Sequence, residues 1–219
     1  LESASASGRS SNFTSASLAS IIRRGTIWNG SAFLRNFSRF VQMVRFSGMR
    51  REFQRVAQCA AGVLSRGCRQ EKAGSALRNM AQAGQYNYGR SMRRGDQHAA
   101  YLARGIFVRN ALAVIYLLNE HYAPFYKWIF RGTEHHRLLR ETVDKLKMLT
   151  LLADTPENAS EKEGLIEQIC VDIVRALNRK GFTRVSEPFL QVQAEELMRS
   201  ITDSRLRALH ILADATAGR

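Results

Sequence analysis

From residue 32 onward, apolar residues recur at spacings of three and four, and this one periodicity restricts the chain to helices. Phe33, Phe37, Phe40, Val41 and Val44 lie on one helical face. After Gly48, a second helix begins with Val56, Ala57, Ala60, Val63 and Leu64 and runs to Ser65 or Arg66. Ala73 to Met92 forms a third, whose small residues Ala76, Ala81, Ala83 and Gly84 permit close helix approach. His98 to Tyr122 is a long central helix, with Leu102, Ile106, Phe107, Val114, Ile115, Leu117 and Leu118 suited to burial.

Pro124 then fits the first turn of a short helix carrying Phe125, Tyr126 and Trp128. Arg137 to Leu152 is amphipathic, with Glu141 and Lys145 spaced for an ion pair. Ser160-x-x-Glu163 has the form of a capping box before the apolar face Leu165, Ile166, Ile169, Ile173, Val174 and Leu177. Lys180-Gly181 stops that helix, Ser186-Glu-Pro188 opens another, and Asp203 caps a last one over 206–212. Strand signals are weak, with only Thr26–Trp28 able to pair. The expected fold is all-α, a multi-helix bundle.

Residues 1–24 are rich in Ser and Ala and poor in acids, a composition shared with transit peptides. With Leu-Glu in place of an initiating Met, they read as a flexible linker. Residues 25–219 then form a single helical domain with a basic half (25–110) and a neutral half (111–219). The formal net charge is +14. Residues 1–110 hold 18 Lys/Arg against Glu2, Glu52, Glu71 and Asp96, whereas 111–219 hold 15 basic and 15 acidic residues. Such a half attracts polyanions: nucleic acid, nucleotide phosphates or an acidic partner surface. Arginine supplies 27 of the 33 basic residues. That favours bidentate phosphate or carboxylate contacts, though a GC-rich coding sequence gives the same bias. Cys59, Cys68 and Cys170 have no CxxC spacing, so they read as buried thiols of a reducing compartment. The uncharged apolar run Asn110–Asn119 is too short to span a membrane, and a cytoplasmic location is expected.

Two polar-aromatic clusters, QYNYGRSMRRGD and NEHYAPFYKW, bracket the central helix within Gln85–Trp128. Aromatic faces for stacking, with amide and cationic donors, could line one cavity at both helix ends. Helix-end packing with solvated arginines accounts for the same residues.

Other patterns carry less. GQYNYG lacks the Lys-Ser/Thr ending of a phosphate-binding loop. Asn29-Gly30-Ser31 resembles the opening of a nucleotidyltransferase metal site, but no acid follows before Glu52 to hold magnesium. Arg93-x4-His98, Arg131-x4-His136 and Arg205-x4-His210 fit the Arg-x4–6-His pattern of HEPN ribonucleases, yet roughly two chance matches are expected in so basic a chain. His135-His136 has no carboxylate partner placed by spacing, so no metal site is expected.

GQYNYGRSMRRGD, LLNEHYAPFYKW and the tail FLQ…ITDSRLRALHI are similar to the domain of unknown function family "forty thirty-seven", over roughly residues 18–214. In that family a helical domain follows a nucleotidyltransferase domain of the kanamycin type. This chain departs from the family at Phe46-Ser-Gly-Met-Arg-Arg, where a Tyr-Tyr-Pro-rich segment is usual. The resemblance implies a substrate-binding or accessory bundle, inactive alone, whose partner is a transferase domain in cis that lies outside this chain. Magnesium and a nucleoside triphosphate would come only with that domain. Gln85, Asn87, Arg90, Arg94, Asp96, Tyr126, Lys127 and Trp128 match the family motifs. Arg90, Arg94 and Lys127 would bind phosphate or another anionic acceptor, Tyr126 and Trp128 would stack on it, and Gln85 and Asn87 would belong to the same substrate-binding set. Asp96 would serve as acceptor base. Two other readings stand beside this one: a basic module for nucleic acid or an acidic partner, and an HEPN-like ribonuclease using His98.

Overall fold

The computed structural model describes residues 66–202 and 204. The expected helices over 33–44, 56–65 and 206–212, the Thr26–Trp28 strand, Cys59, Arg205 and His210 lie outside them. Among the described residues the chain is helical and contains no strand. Helix α1 (Arg66–Met80) continues without a break into a π-helical segment (Ala81–Tyr88) and the short α2 (Gly89–Arg93). The central α3 (Gln97–Leu118) follows, then single 3-10 turns at Tyr126–Trp128 and Arg131–His135. Helices α4 (Arg140–Leu151), α5 (Pro156–Arg179) and α6 (Leu190–Arg199) complete the bundle.

The expected helix over 73–92 is present, but its middle is wound as a π-helix. The buried residues Met80, Gly84, Tyr88 and Met92 explain the winding. They recur every four residues, a spacing that an α-helix would rotate steadily off the core. The wider π turn keeps them in line. Gly84 is required there, because a Cβ would lie 2.7 Å from Phe107 Cε2 of α3.

Helix α3 starts where Asp96 caps it, Oδ1 accepting the Ala99 N–H at 2.9 Å. Gly95, at φ +74°, makes the reversal from α2. The helix stops at Leu118, four residues earlier than its apolar pattern predicts. There Asn119 turns its side chain to Ile115 O (2.8 Å) and to the backbone of Leu138.

Helices α1 and α3 run antiparallel, with Arg69 near Glu120 (3.7 Å) and Asn79 near Asn110. Helix α6 packs antiparallel on α1, where Gln70 donates to Ser200 at 3.0 Å. Much of α3 is core: Phe107, Ala111, Leu112, Val114, Ile115 and Leu118 are fully enclosed or nearly so. By length and composition α3 could cross a membrane, but 61% of its apolar window is buried inside the bundle.

Two local expectations are corrected. Lys145 pairs with Asp172 of α5 at 2.7 Å and not with Glu141. Ser160-x-x-Glu163 does not open a helix, because α5 already begins at Pro156 with its ring in the first turn. The far end of α5 stops as expected. Gly181 takes φ +65°, and Phe182 N–H reaches back to Leu177 O at 3.0 Å.

Candidate functional site

The first polar-aromatic cluster is built on the π segment and α2, which run antiparallel to the first half of α5. Gln85 lies in this contact. Its Nε2 donates to Glu167 Oε2 (2.9 Å) and Pro188 O (3.2 Å), and its Oε1 accepts the first N–H of α6, from Leu190, at 2.9 Å. Gln85 therefore ties three elements together, and its amide is occupied by protein groups. Gly89 sits against Glu163, where a Cβ would meet Oε1 at 2.6 Å. Arg93 faces the same carboxylate at 3.4 Å. A shallow groove of about 200 Å³ runs between the two helices, lined by Gln85, Arg93, Glu163 and Glu167 over Gly84 and Gly89.

The outer side of this rod is open. The Arg90 guanidinium lies over the Tyr86 ring at 4.5 Å and hydrogen-bonds to its hydroxyl, which holds a planar cation against an aromatic face. Asn87 and Arg94 are exposed beside it. Asp96 is exposed too, with one carboxylate oxygen committed to capping α3. His98 lies exposed in the first turn of α3, while Arg93 is engaged by Glu163.

The second cluster is at the far end of α3. Tyr116 hydroxyl donates to Ile129 O at 2.9 Å, fixing the 3-10 turn that carries Tyr126, Lys127 and Trp128. Lys127 Nζ lies over the Trp128 ring at 4.3 Å, and Phe125 contacts both Tyr126 (4.4 Å) and Trp128 (6.4 Å) between ring centres. The first cluster runs from Asp96 at the start of α3 to Gly84 beside Phe107, while Tyr116 near the other end anchors the second, so along the helix they stand roughly 15 to 30 Å apart at 1.5 Å per residue. The structure therefore does not bring Arg90, Arg94, Asn87 and Asp96 to one cavity with Tyr126, Lys127 and Trp128. One helix separates two surfaces.

Beneath the first cluster, reached by its Tyr88, lies a buried charge network that sequence reasoning missed. Asp154, in the turn before α5, accepts from Arg104 Nε (3.0 Å) and Nη2 (2.8 Å), from Tyr88 Oη (3.2 Å), and from Lys162 in an ion pair. Lys162 has no exposed surface and also donates to Leu152 O at 2.9 Å. Burial pushes the Asp154 carboxyl up, but hydrogen bonds from Lys162 and Arg104 outweigh it and hold it below its usual value. Burial lowers the Lys162 pKa, with Asp154 opposing the shift. Tyr88 is raised, first by burial and then by the Asp154 charge. One signal was available: Lys162 falls on the apolar face of α5, one turn before Leu165 and Ile166.

Near the second cluster, His136 is 4% exposed, stacked on His121 (5.4 Å) and edge-on to Tyr116 (4.4 Å). Burial, reinforced by His121 and His135, lowers its pKa to about 4. No cluster of three or more metal-ligating side chains occurs among the described residues.

The family model for Domain of unknown function (DUF4037) matches residues 36–129. That span contains both polar-aromatic motifs, so the resemblance read from the sequence holds there. No curated protein and no solved structure matches the chain.

Proposed function

We propose that this chain is the helical accessory half of a nucleotidyltransferase-like protein, presenting an anion-recognising wall on the outer side of the π segment and α2. The observation that carries this reading is a division of labour within GQYNYGRSMRRGD. Gly84, Gln85, Tyr88, Gly89 and Met92 are spent on packing and internal hydrogen bonds, while Asn87, Arg90 and Arg94 are left outside beside Tyr86. A guanidinium held against an aromatic ring loses little freedom on meeting phosphate or carboxylate. The catalytic contribution would come from a separate domain, because the chain carries no acid between Glu2 and Glu52 where a metal-holding pair would follow Gly30-Ser31. Tyr126, Lys127 and Trp128 then form a second contact surface, distinct from the first.

The test is pyrophosphate release from ATP or GTP with magnesium, comparing this chain with one extended upstream. The reading expects turnover only in the longer chain. Turnover by the 219-residue chain alone would overturn it. A basic nucleic-acid module is the competing reading, and it expects binding to generic RNA that falls steeply with salt. Salt-tolerant binding of a single nucleotide favours the wall.

A further inference from the structure

The line of residues that carries Arg90 and Arg94 begins upstream of GQYNYGRSMRRGD. The inward residues Met80, Gly84, Tyr88 and Met92 recur every four residues, and the π winding holds them in line. Arg78, Gln82, Tyr86, Arg90 and Arg94 recur at the same spacing, two positions out of phase, which is about half a turn of helix. They form a second line on the opposite, outward side, with Tyr86 and Arg94 exposed and the other three half-buried. This line is polar apart from the Tyr86 ring, whereas Leu102 and Ile106, suited to burial by their apolar pattern, stand exposed on α3.

Ion pairing divides the arginines of this rod. Arg69 lies 3.7 Å from Glu120 and Arg93 lies 3.4 Å from Glu163. Among the described residues no carboxylate pairs with Arg78, Arg90 or Arg94, and the enclosed Nε of Arg78 has no hydrogen-bond partner. A cationic donor left unpaired in this way is costly, and a bound anion offsets the cost. We propose that the wall takes a linear chain of phosphates lying along this line from Arg94 to Arg78. Resting on the anion-wall reading, this adds Arg78 as a third cation and Gln82 as an amide donor.

From Arg78 to Arg94 the line is roughly 24 Å long at 1.5 Å per residue. A triphosphate covers only the Arg90–Arg94 end, one helical turn. A longer chain held there meets Arg78 as an intramolecular contact and gains affinity from it. Single-stranded nucleic acid carries phosphates too, but surfaces that take it offer aromatic faces on which bases stack. The one ring on this line, Tyr86, already has the Arg90 guanidinium over its face at 4.5 Å. Cations without a free stacking platform fit a chain of phosphates that carries no bases.

Calorimetric titration of the full chain with inorganic tripolyphosphate and with a medium-chain linear polyphosphate, at one salt concentration, tests this. Arg78→Ala should weaken binding of the long chain about tenfold, through loss of a charge-assisted contact, and leave tripolyphosphate unchanged. Gln82→Glu, which places an anion in the middle of the line, should also weaken the long chain more than the short one. Arg137→Ala, which removes an exposed charge at the far end of α3, should change neither. An equal loss of long-chain affinity in Arg137→Ala overturns the proposal. So does tighter binding of an oligodeoxythymidylate that depends on Arg78 in the same way. If tripolyphosphate fails to bind, or binds without Arg90 and Arg94, the anion-wall reading falls and this assignment falls with it. Tripolyphosphate binding that needs Arg90 and Arg94, beside long-chain binding indifferent to Arg78→Ala and Gln82→Glu, overturns this assignment alone.

Discussion

Lys162 and Asp154 form an ion pair inside the bundle, the lysine without exposed surface and the aspartate in the turn that opens the lysine's own helix. Arg104 shares the carboxylate, so one anion serves two buried cations. The network joins the π segment, α3, the α4–α5 turn and α5 through side chains of four residues.

Asp154→Ala should be among the most damaging single changes to the fold. It leaves two buried cations without a counter-charge, a loss of about 3–5 kcal/mol for breaking such a pair. Lys162→Met should cost less, because a flexible apolar chain fills the site and Arg104 still partners Asp154. Urea unfolding checks both, and equal effects would contradict the arrangement.

Four glycines should divide by sign. Gly84→Ala drives a Cβ into the Phe107 ring, and Gly89→Ala drives one into the Glu163 carboxylate. Overpacking at Gly84 should cost about 1–3 kcal/mol, with a smaller loss at Gly89, where the Glu163 side chain can shift. Gly164→Ala, on an open helical face, should instead stabilise by about 0.5–1 kcal/mol. Gly181→Ala should destabilise through backbone strain, since its φ is +65°. Thermal unfolding of the four variants reads the signs.

Acid should weaken the far end of α3 before the Asp154 network. The folded pKa of His136 is about 4, below its ordinary 6.5, so the unfolded chain binds more protons between these values. Stability from this residue is fully present above pH 6.5 and falls away as pH drops toward 4, by at most about 3 kcal/mol. Asp154 is also depressed, so its contribution is lost only at lower pH, below the ordinary carboxyl value. His136→Leu should flatten stability between pH 6.5 and 4, measured by urea midpoints across that range. An unchanged slope would contradict the assignment to His136.

Much of the fold was legible locally. Lys180-Gly181 ends α5, and the small residues around Gly84 mark a close helix contact. What escaped depends on partners distant in sequence. Asp154 meets Lys162, Arg104 and Tyr88 across 8, 50 and 66 residues. Lys145 had a well-spaced Glu141, but Asp172 on the neighbouring helix took it. For the site, residue types pointed to Gln85–Trp128, yet spacing does not reveal that a 22-residue helix holds the two clusters apart. Nor does it reveal that Gln85 and Asp96 are engaged by backbone N–H groups.

Gln85 and Arg94 should therefore separate fold from recognition. Gln85→Ala removes hydrogen bonds to Leu190 N, Pro188 O and Glu167, and should cost about 1–2 kcal/mol. Arg94→Ala, at an exposed turn, should leave stability within about 0.5 kcal/mol. Chemical denaturation of both variants tests the contrast.

The central claim is that Arg90 and Arg94 form an anion-recognising wall separate from Lys127. Calorimetric titration of inorganic tripolyphosphate into the full chain at constant salt tests it most directly. The Arg90→Ala/Arg94→Ala double variant should bind at least about tenfold more weakly, a change of 1.4 kcal/mol or more, while Lys127→Ala binds as the parent does. Equal weakening by Lys127→Ala, or unchanged binding in the double variant, would contradict the account.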